Sequence, residues 1–353
     1  MNDATTKMDY LPLFQALRLA DCWRAAGGRP EVEVAALEPT LWREGDKDVA
    51  DLARELAACG MAVSMTTNGS RLARLSPRLA QVGLSRLRLS WHTLDAERFR
   101  ALTATGDYVT FIDGVHAALA AGLPLSINRV LIGGLCDDLP EHVAFVDKYR
   151  LRLKLLDLYE TMDNARERQA HYVEPMAVVR PLVRAGLLRE SRLGEDGVED
   201  GRRGRRRFHT KHGGLVEIKC SETARLNVGP CANCSYRNHC LEGLADYFRV
   251  TPDLRGNFCY RRADLEFSLA PILASPDPAA ALRQTIRSQF GVEPDALLNR
   301  AALRYIVTSG CNFNCGFPAS TTSWCLKQGQ NFLFPPRRPE AVQITPPMRL
   351  EVA

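Results

Sequence analysis

The sequence predicts an α/β fold in which parallel strands alternate with helices and form a partial (β/α)6 barrel. Short apolar runs typical of buried strands are followed by segments with the apolar spacing of amphipathic helices. Strand and helix alternate at least five times before about residue 160. Such alternation favours a parallel sheet, closed or half-closed into a barrel, with functional residues at the C-terminal ends of its strands.

Helices are predicted where apolar residues recur every three or four positions and a boundary signal is present. Glycine follows the first two helices, at Gly27 and Gly60, and proline stands at the start of the last one. The predicted helices cover residues 11–26, 47–59, 71–82, 109–121, 140–150 and 277–290.

Strands are predicted where a short apolar or alternating run lies between two of these helices. The runs VEVAA, MAVSM, RLRLS, LSINRVLI, LRLKLLDL and LRYIVT meet this description. In chain order they cover residues 32–36, 61–65, 86–90, 125–132, 151–158 and 303–308.

Composition narrows the class of protein. The 353 residues are 46% hydrophobic and 25% charged, as in an ordinary globular protein. Because no apolar stretch has membrane-spanning length and the N-terminus is polar, we expect a cytoplasmic protein without a membrane partner. The net charge of +5 owes much to the arginine run at residues 202–207. That run predicts a solvated loop, or an anion contact, and nucleic acid is not an expected partner.

Cysteines give the strongest chemical signal. Clustered cysteines in a reducing compartment indicate metal ligands more than disulfides. Structural zinc and plain buried thiols remain alternatives, because spacing alone does not separate the metals. Of eleven cysteines, seven form two groups: Cys231, Cys234, Cys240 and Cys259, then Cys311, Cys315 and Cys325.

Motifs at the predicted strand ends resemble those of the radical S-adenosylmethionine (SAM) superfamily. Residues 35–39 (AALEP) resemble its GGEP motif, and residues 66–69 (TTNG) match its TTNG. Residues 89–95 (LSWHTLD) and 127–130 (INRV) are similar to the motifs of the next two strands. The strand that leads into CNFNC at residues 311–315 resembles the family's cluster-binding element.

Within the superfamily, the cysteines of residues 231–259 resemble the auxiliary-cluster (SPASM/twitch) branch. This branch includes the molybdopterin-pathway GTP 3',8-cyclases. The resemblance implies a TIM-like partial barrel, but the order is unusual, because the strand and cluster loop normally precede the helix that is here at residues 11–26. We therefore predict a circular permutation in which strand 303–308 pairs with strand 32–36.

The resemblance implies SAM and a [4Fe–4S] cluster as cofactors. Cys311, Cys315 and Cys325 would hold the cluster, and Phe317 would pack on the adenine of SAM. The family spacing requires a third cysteine at position 318, where this chain has Pro318. Cys325 is therefore the expected third ligand, and a degenerate, non-catalytic site is the alternative.

The SAM contacts implied by the resemblance are polar. Glu38 would accept the methionine ammonium in a charge-assisted hydrogen bond. Ser90 and Asn128 would bond the ribose or the methionine carboxylate, with Thr66 and Asn68 nearby.

By the same resemblance, the cysteine group at residues 231–259 implies an auxiliary [4Fe–4S] cluster. Four thiolates would close it, whereas a cluster without Cys240 would leave one iron open, as in the cyclases of the branch.

These features predict four regions and one function. The regions are a barrel (1–160), a linker (161–214), an auxiliary-cluster domain (215–290), and the permuted strand and cluster loop with a Pro-rich tail (291–353). The predicted enzyme cleaves SAM reductively and abstracts hydrogen from a polar small molecule or peptide, giving cyclisation, crosslinking or epimerisation. An electron donor such as flavodoxin or ferredoxin is the expected partner. The alternatives are a non-catalytic scaffold and a zinc-dependent nucleic-acid-binding protein.

Overall fold

The computed structural model describes most of residues 10–307. The parts of that range outside the description are residues 36–37, 104–105, 159–164, 192–205, 220–228, 236, 238–239, 241–243, 245 and 260. Among the described residues, no helix is long and apolar enough to cross a membrane.

In this part of the chain, twelve strands form one sheet and two short strands, β2 and β3, pair separately. The strands are β1 (Glu31–Ala35), β2 (Arg43–Glu44), β3 (Lys47–Asp48), β4 (Ala62–Thr67), β5 (Arg86–Ser90), β6 (Leu125–Val130), β7 (Arg152–Leu156), β8 (Arg189–Glu190), β9 (Arg206–His209), β10 (Leu215–Lys219), β11 (Tyr247–Val250), β12 (Arg255–Asn257), β13 (Phe267–Ser268) and β14 (Ala302–Ile306).

The helices lie between these strands along the chain and include each of those that the sequence predicts. They are α1 (Leu13–Ala25), α2 (Val49–Ala58), α3 (Leu72–Val82), α4 (Ala96–Thr103), α5 (Tyr108–Ala120), α6 (Leu139–Lys148), α7 (Ala165–His171), α8 (Pro175–Arg184), α9 (Ala270–Leu273), α10 (Pro278–Phe290) and α11 (Asp295–Leu298).

The predicted parallel sheet is confirmed, and it is larger than expected. Its six central strands run in the order β14-β1-β4-β5-β6-β7, and each neighbouring pair is parallel. Two further parallel strands extend it, β11 beside β14 and β10 beside β7. The barrel is partial, because β10 and β11 are not hydrogen-bonded neighbours. Lys219 bridges this seam, with its Nζ 3.1 Å from Asp246 Oδ2.

The structure differs from the sequence prediction after residue 160. The segment 161–214, for which the sequence predicts a linker, contributes α7, α8, β8 and β9 in its described part. Within the predicted auxiliary-cluster domain, β10 and β11 belong to the main sheet. Both strands pair with partners distant in sequence, which a local pattern of apolar residues does not reveal.

The two faces of the parallel strands have different chemistry. In β5, Leu87 and Leu89 are fully buried against the helices, whereas Arg86, Arg88 and Ser90 point to the other face and remain partly exposed. The period of two in a strand separates the two sets. The same alternation occurs in β7 and β14. Helices therefore cover an apolar outer face, and polar side chains line the inside of the barrel, here called the lumen.

Close packing fixes the turn that follows β4. α5 approaches this turn at Gly114, where an added β-carbon would lie 2.9 Å from the carbonyl oxygen of Gly69. Only a glycine fits at this separation without a shift of the backbone.

The strand pairing that a permuted order requires is present. Val32, Val34 and their neighbours in β1 pair in parallel with β14. Where β14 ends, the carbonyl oxygen of Val307 accepts a hydrogen bond from the backbone N–H of Leu11, with an N–O distance of 3.0 Å. β14, the last strand of the described residues, thus ends beside the start of α1. The permuted origin of this order stays a prediction.

A rearranged chain tests whether this fold depends on the order of its segments. In the rearranged chain, residues 291–353 come first and are followed by residues 1–290. The new N-terminus and C-terminus therefore lie in the segment that links α10 to β14 in the native protein. We expect a folded protein whose far-UV circular dichroism spectrum matches the native one, because neither β14 nor α1 is interrupted and surface openings are tolerated. An unfolded product would contradict the prediction, and the same opening placed inside α3 is the control that should not fold.

Candidate active site

The lumen holds a cavity of about 530 Å³. Its wall consists largely of the inward side chains of the first halves of the parallel strands, with Ser64 and Asn128 among them. Most barrels of this kind have a lumen packed with branched apolar side chains. A polar lumen of this volume instead has the size of a small-molecule site.

Glu33 is the central side chain of the lumen. Its carboxylate is 2% exposed and accepts a hydrogen bond from Thr66 Oγ1 at 2.5 Å. Arg304 donates to Oε2 at 2.9 Å, and Arg88 lies 3.3 Å from Oε1. Burial by itself would raise the pKa of Glu33, but Arg304 and Arg88 hold it well below its usual range. One ionised carboxylate therefore links strands β1, β4, β5 and β14.

A second carboxylate, Glu217, occupies the opposite side of the lumen. It is 1% exposed and forms an ion pair with Arg207 at 3.0 Å, and Arg152 lies 3.8 Å away. Near the seam, the guanidinium of Arg304 lies over the Tyr247 ring, 3.5 Å from its centre. The lumen thus combines buried acids with a larger number of basic side chains.

Glu38, the predicted partner of the SAM ammonium, lies at the C-terminal edge of the sheet. Its Oε1 accepts the N–H and hydroxyl of Thr40 and the hydroxyl of Thr67, and its Oε2 accepts the N–H of Asn68. Burial raises the pKa of Glu38, while these four donors act in the opposite direction. Because Oε1 is saturated, Oε2 is the oxygen with capacity for a further donor.

The other predicted SAM contacts lie on three neighbouring strands or just after them. Ser90 and Asn128 are register partners on β5 and β6, and Asn128 lines the cavity. Thr66 points into the lumen, where it bonds Glu33. The structure therefore brings Thr66, Ser90 and Asn128 to one face, whereas Asn68 is exposed and accepts a hydrogen bond from the Ser70 N–H in the turn.

A buried scaffold supports the segment after β5. Arg129 is fully buried and bonds His142 Nδ1 and the Asp138 carboxylate. Asp138 also accepts from the hydroxyl of Thr93 and the N–H of Leu94. This arrangement fixes the LSWHTLD segment that carries Ser90. His92 has a structural position too, since burial and Arg129 lower its pKa to about 4 and its Nδ1 accepts from Val130 N–H.

An apolar cluster at the C-terminal ends of β6 and β7 was absent from the sequence prediction. It is separate from the main core and forms one wall near the predicted SAM contacts. Its buried members are Leu102, Val130, Ile132, Leu156 and Leu158.

Cys231, Cys234, Cys240 and Cys259 are free and half-buried. Burial raises the pKa of Cys231 to about 11, and Cys259 and Cys240 are close enough to add to this effect. Backbone N–H groups of Arg261 and Arg262 act on the Cys259 sulfur as hydrogen-bond donors. These donors suit a thiolate ligand. Within the described residues, however, no three His, Cys, Asp or Glu side chains are placed to hold a metal ion. The other predicted ligands, Cys311, Cys315 and Cys325, and Phe317, lie outside the described residues.

Comparison with known proteins decides the family. The model of the radical SAM superfamily matches residues 2–146. A GTP 3',8-cyclase from Stenotrophomonas maltophilia is 29% identical over 288 residues, which cover 80% of each chain. The chain belongs to the radical SAM superfamily.

Other relatives match over a shorter range. A GTP 3',8-cyclase from Marinobacter nauticus is 33% identical over 158 residues, 42% of this chain and 47% of its own. The chain spans only about half the length of this relative and of several other cyclases. Among solved structures, a histidine-tagged anSMEcpe with bound AdoMet covers 80% of this chain and 70% of its own, at 13% identity and a TM-score of 0.47.

Membership confirms several predictions made from the motifs. This radical SAM protein is an enzyme, and the family implies a [4Fe–4S] cluster and SAM as its cofactors. The ligand assignments, the auxiliary cluster and the permuted order stay predictions.

The Glu33 network predicts a pH-dependent loss of stability on substitution. At pH 7, Glu33→Gln should lower the free energy of unfolding by about 2–4 kcal/mol, because two guanidinium groups lose their shared carboxylate. The folded-state pKa of Glu33 is lowered, so its contribution is complete above the ordinary pKa of about 4.3 and is lost as pH falls further.

Urea unfolding followed by circular dichroism at pH 7 and at pH 3.5 measures this effect. The difference between the native protein and Glu33→Gln should be smaller at pH 3.5. Glu97→Gln, at an exposed position of α4, is the matched control and should leave stability nearly unchanged at both values. An equal loss at both pH values would contradict the ionised network.

Proposed function

We propose that this radical SAM enzyme binds an anionic small molecule in the lumen and abstracts a hydrogen atom from it. The polar cavity carries the proposal, because Asn128, one of the residues that correspond to the family's SAM contacts, lines it, and Ser90 is the register partner of Asn128. One end of a substrate in this cavity would lie near Ser90 on β5 and Asn128 on β6. Cys311, Cys315 and Cys325 are the proposed cluster ligands, and Phe317 the adenine contact.

When bound, the cluster and SAM supply an adenosyl radical that removes a hydrogen atom. The chain's own residues would position the reacting groups. Glu38 Oε2 has capacity for the ammonium of SAM, and the bonds to Thr40 and Thr67 hold the carboxylate in place. Thr66 and Asn128 point into the lumen, where they would face the substrate or the ribose. The apolar cluster containing Val130 and Leu156 would exclude water from this side.

A nucleotide is the first substrate to assay, and cyclisation is the first reaction. This choice rests on the likeness to proteins described as GTP 3',8-cyclases and on the basic side chains of the lumen. Such a substrate is polar, anionic and small enough for the cavity. An electron donor of the flavodoxin or ferredoxin type would reduce the cluster.

We propose in addition that Cys231, Cys234, Cys240 and Cys259 hold a second [4Fe–4S] cluster. The proposal rests on the spacing of the four cysteines and on the electrostatic effect of the other three on Cys231, since the described side chains are not placed to hold a metal ion. A cluster with four thiolates has no open iron for substrate, so it would relay electrons or shape the pocket.

Metal analysis separates the two proposed clusters. The protein, reconstituted anaerobically, should hold about eight irons and eight sulfides, and its reduced EPR signal should change when SAM is added. The paired substitution Cys311→Ala, Cys315→Ala should remove about four irons and the SAM response. The pair Cys231→Ala, Cys234→Ala should remove about four irons and leave the SAM response in place.

The matched control is Cys22→Ala, Cys59→Ala, which changes two cysteines outside both groups and should keep all the iron. Stoichiometric zinc in place of the second set of irons would contradict the auxiliary cluster. Iron without any SAM response would contradict the proposed catalysis.

A further inference from the structure

A buried arginine lies directly beside Asn128, one of the predicted SAM contacts. Arg129 follows Asn128 in β6, and successive side chains of a strand point to opposite faces. Asn128 therefore lines the lumen, whereas Arg129 is fully buried on the face that the helices cover. Because a charged group removed from water is costly unless charged and polar partners replace the solvent, such a side chain is held by specific contacts.

The partners of Arg129 lie in the segment that follows β6. Its guanidinium donates to the carbonyl oxygen of Leu135 at 2.7 Å and lies 2.9 Å from Nδ1 of His142 on α6. Burial and the charge of Arg129 lower the pKa of His142, so this ring is a neutral acceptor for the guanidinium. The charged partner is Asp138, which forms an ion pair with Arg129.

Asp138 extends these contacts to the segment that follows β5. Its Oδ1 bonds Arg129, whereas its Oδ2 accepts from the Thr93 hydroxyl at 2.8 Å and from the Leu94 N–H at 2.6 Å. Thr93 comes three residues after Ser90 in the sequence. The buried ion pair therefore links β6 to the segment that carries Ser90 through four groups of known position.

The backbone pairing of β5 with β6 does not reach this far. β5 ends at Ser90, and the N–H of Trp91 donates to the carbonyl oxygen of Asn128 at 3.0 Å. At the next position a side chain replaces the backbone, since His92 Nδ1 accepts from the Val130 N–H at 3.2 Å. Beyond the strand ends, side-chain contacts, with the buried ion pair among them, set how the two segments lie relative to each other.

We propose that Arg129 is a positioning residue for SAM. Through Asp138 it fixes the ends of β5 and β6 relative to each other, and with them the side chains of Ser90 and Asn128. Arg129 itself does not touch SAM, because its side chain lies on the opposite face of the sheet from the lumen. The inference rests on the proposed function, since it takes Ser90 and Asn128 as SAM contacts.

A positioning role has a kinetic signature that a purely structural role lacks. Displacement of a positioning group by about 1 Å can cost as much as 10²-fold. Ser90 and Asn128 would hold SAM both before and during its cleavage, so their displacement should raise the KM for SAM and change kcat little. A loss of stability alone would instead reduce the amount of folded enzyme and leave its KM for SAM unchanged.

Two measurements on the anaerobically reconstituted full chain test this role: EPR titration with SAM, and the steady-state release of 5'-deoxyadenosine with dithionite as reductant. Arg129→Met should raise the Kd and the KM for SAM by roughly tenfold or more, with native iron content and circular dichroism. Arg129→Lys keeps a cation beside Asp138 without the planar guanidinium, so it should recover part of the affinity.

Thr93→Val supplies a second test that retains the buried ion pair. It removes the hydroxyl that donates to Asp138 and nearly preserves the volume of the side chain. We expect a rise of roughly threefold or more in the KM for SAM, because one of the two bonds that join Asp138 to this segment is lost.

Arg78→Met is the matched control. Arg78 also forms ion pairs with two aspartates, Asp48 and Asp51, but these lie at the start of α2. Its loss should lower the free energy of unfolding and leave the KM for SAM at the native value.

Two results would overturn the positioning role. One is a native Kd and KM for SAM in folded Arg129→Met or, where that variant does not fold, in Thr93→Val. The other is an equal rise in KM in Arg78→Met, which would assign the effect to stability. A native protein that neither responds to SAM nor cleaves it would contradict the proposed function, and this inference with it. A native SAM response that the Arg129 and Thr93 variants retain unchanged would contradict the inference alone.

Discussion

The buried carboxylate of Glu33 is the contact on which the lumen depends. A carboxylate that is removed from water is costly unless hydrogen bonds and opposite charges replace the solvent. Thr66, Arg88 and Arg304 supply both. These partners come from β4, β5 and β14, and Glu33 itself lies on β1. Glu33 can therefore be both buried and ionised only when these four strands are in register. Arg88 and Arg304 would repel each other without this carboxylate. Their contacts with Glu33 hold them in positions that keep the cavity polar and open.

Stability and function are divided between the two faces of each strand. The outer face of β5 contributes fully buried leucines to the main core, and the inner face contributes Arg86, Arg88 and Ser90 to the lumen. Hydrophobic burial of the outer face offsets the cost of placing charged groups inside. A substitution on the inner face therefore changes binding and electrostatics, whereas a substitution on the outer face changes packing. This division explains how the barrel maintains a polar cavity that an ordinary packed lumen lacks.

Local pattern was sufficient to predict the elements, but not the contacts between distant segments. RLRLS predicted β5, and the strand-end motifs selected Ser90 and Asn128, which the structure pairs on β5 and β6. The alternation of arginine and leucine in that strand indicates one polar face and one apolar face. Only the pairing of β5 with its neighbours shows that Arg86 and Arg88 point into the lumen. β10 joins the main sheet beside β7, a pairing that its own five residues do not encode. Glu38 was identified from its motif, whereas its four donors come from two segments that meet only in the fold.

Placement of β14 completes both the parallel sheet and the Glu33 network. Arg304 and Glu33 are 271 residues apart in sequence, and closing a loop of that length costs about 5 kcal/mol in chain entropy. The contacts of β14 offset this cost: the strand pairs with β1 and β11, and the Tyr305 hydroxyl donates to the Ala16 carbonyl oxygen of α1 at 2.6 Å. Just after β14, the backbone of Val307 forms hydrogen bonds with the backbones of Leu11 and Ala35. In the sequence, the CNFNC segment begins four residues after Val307. Docking of β14 therefore places Val307 beside Leu11 and Ala35 and completes the Glu33 network at the same time.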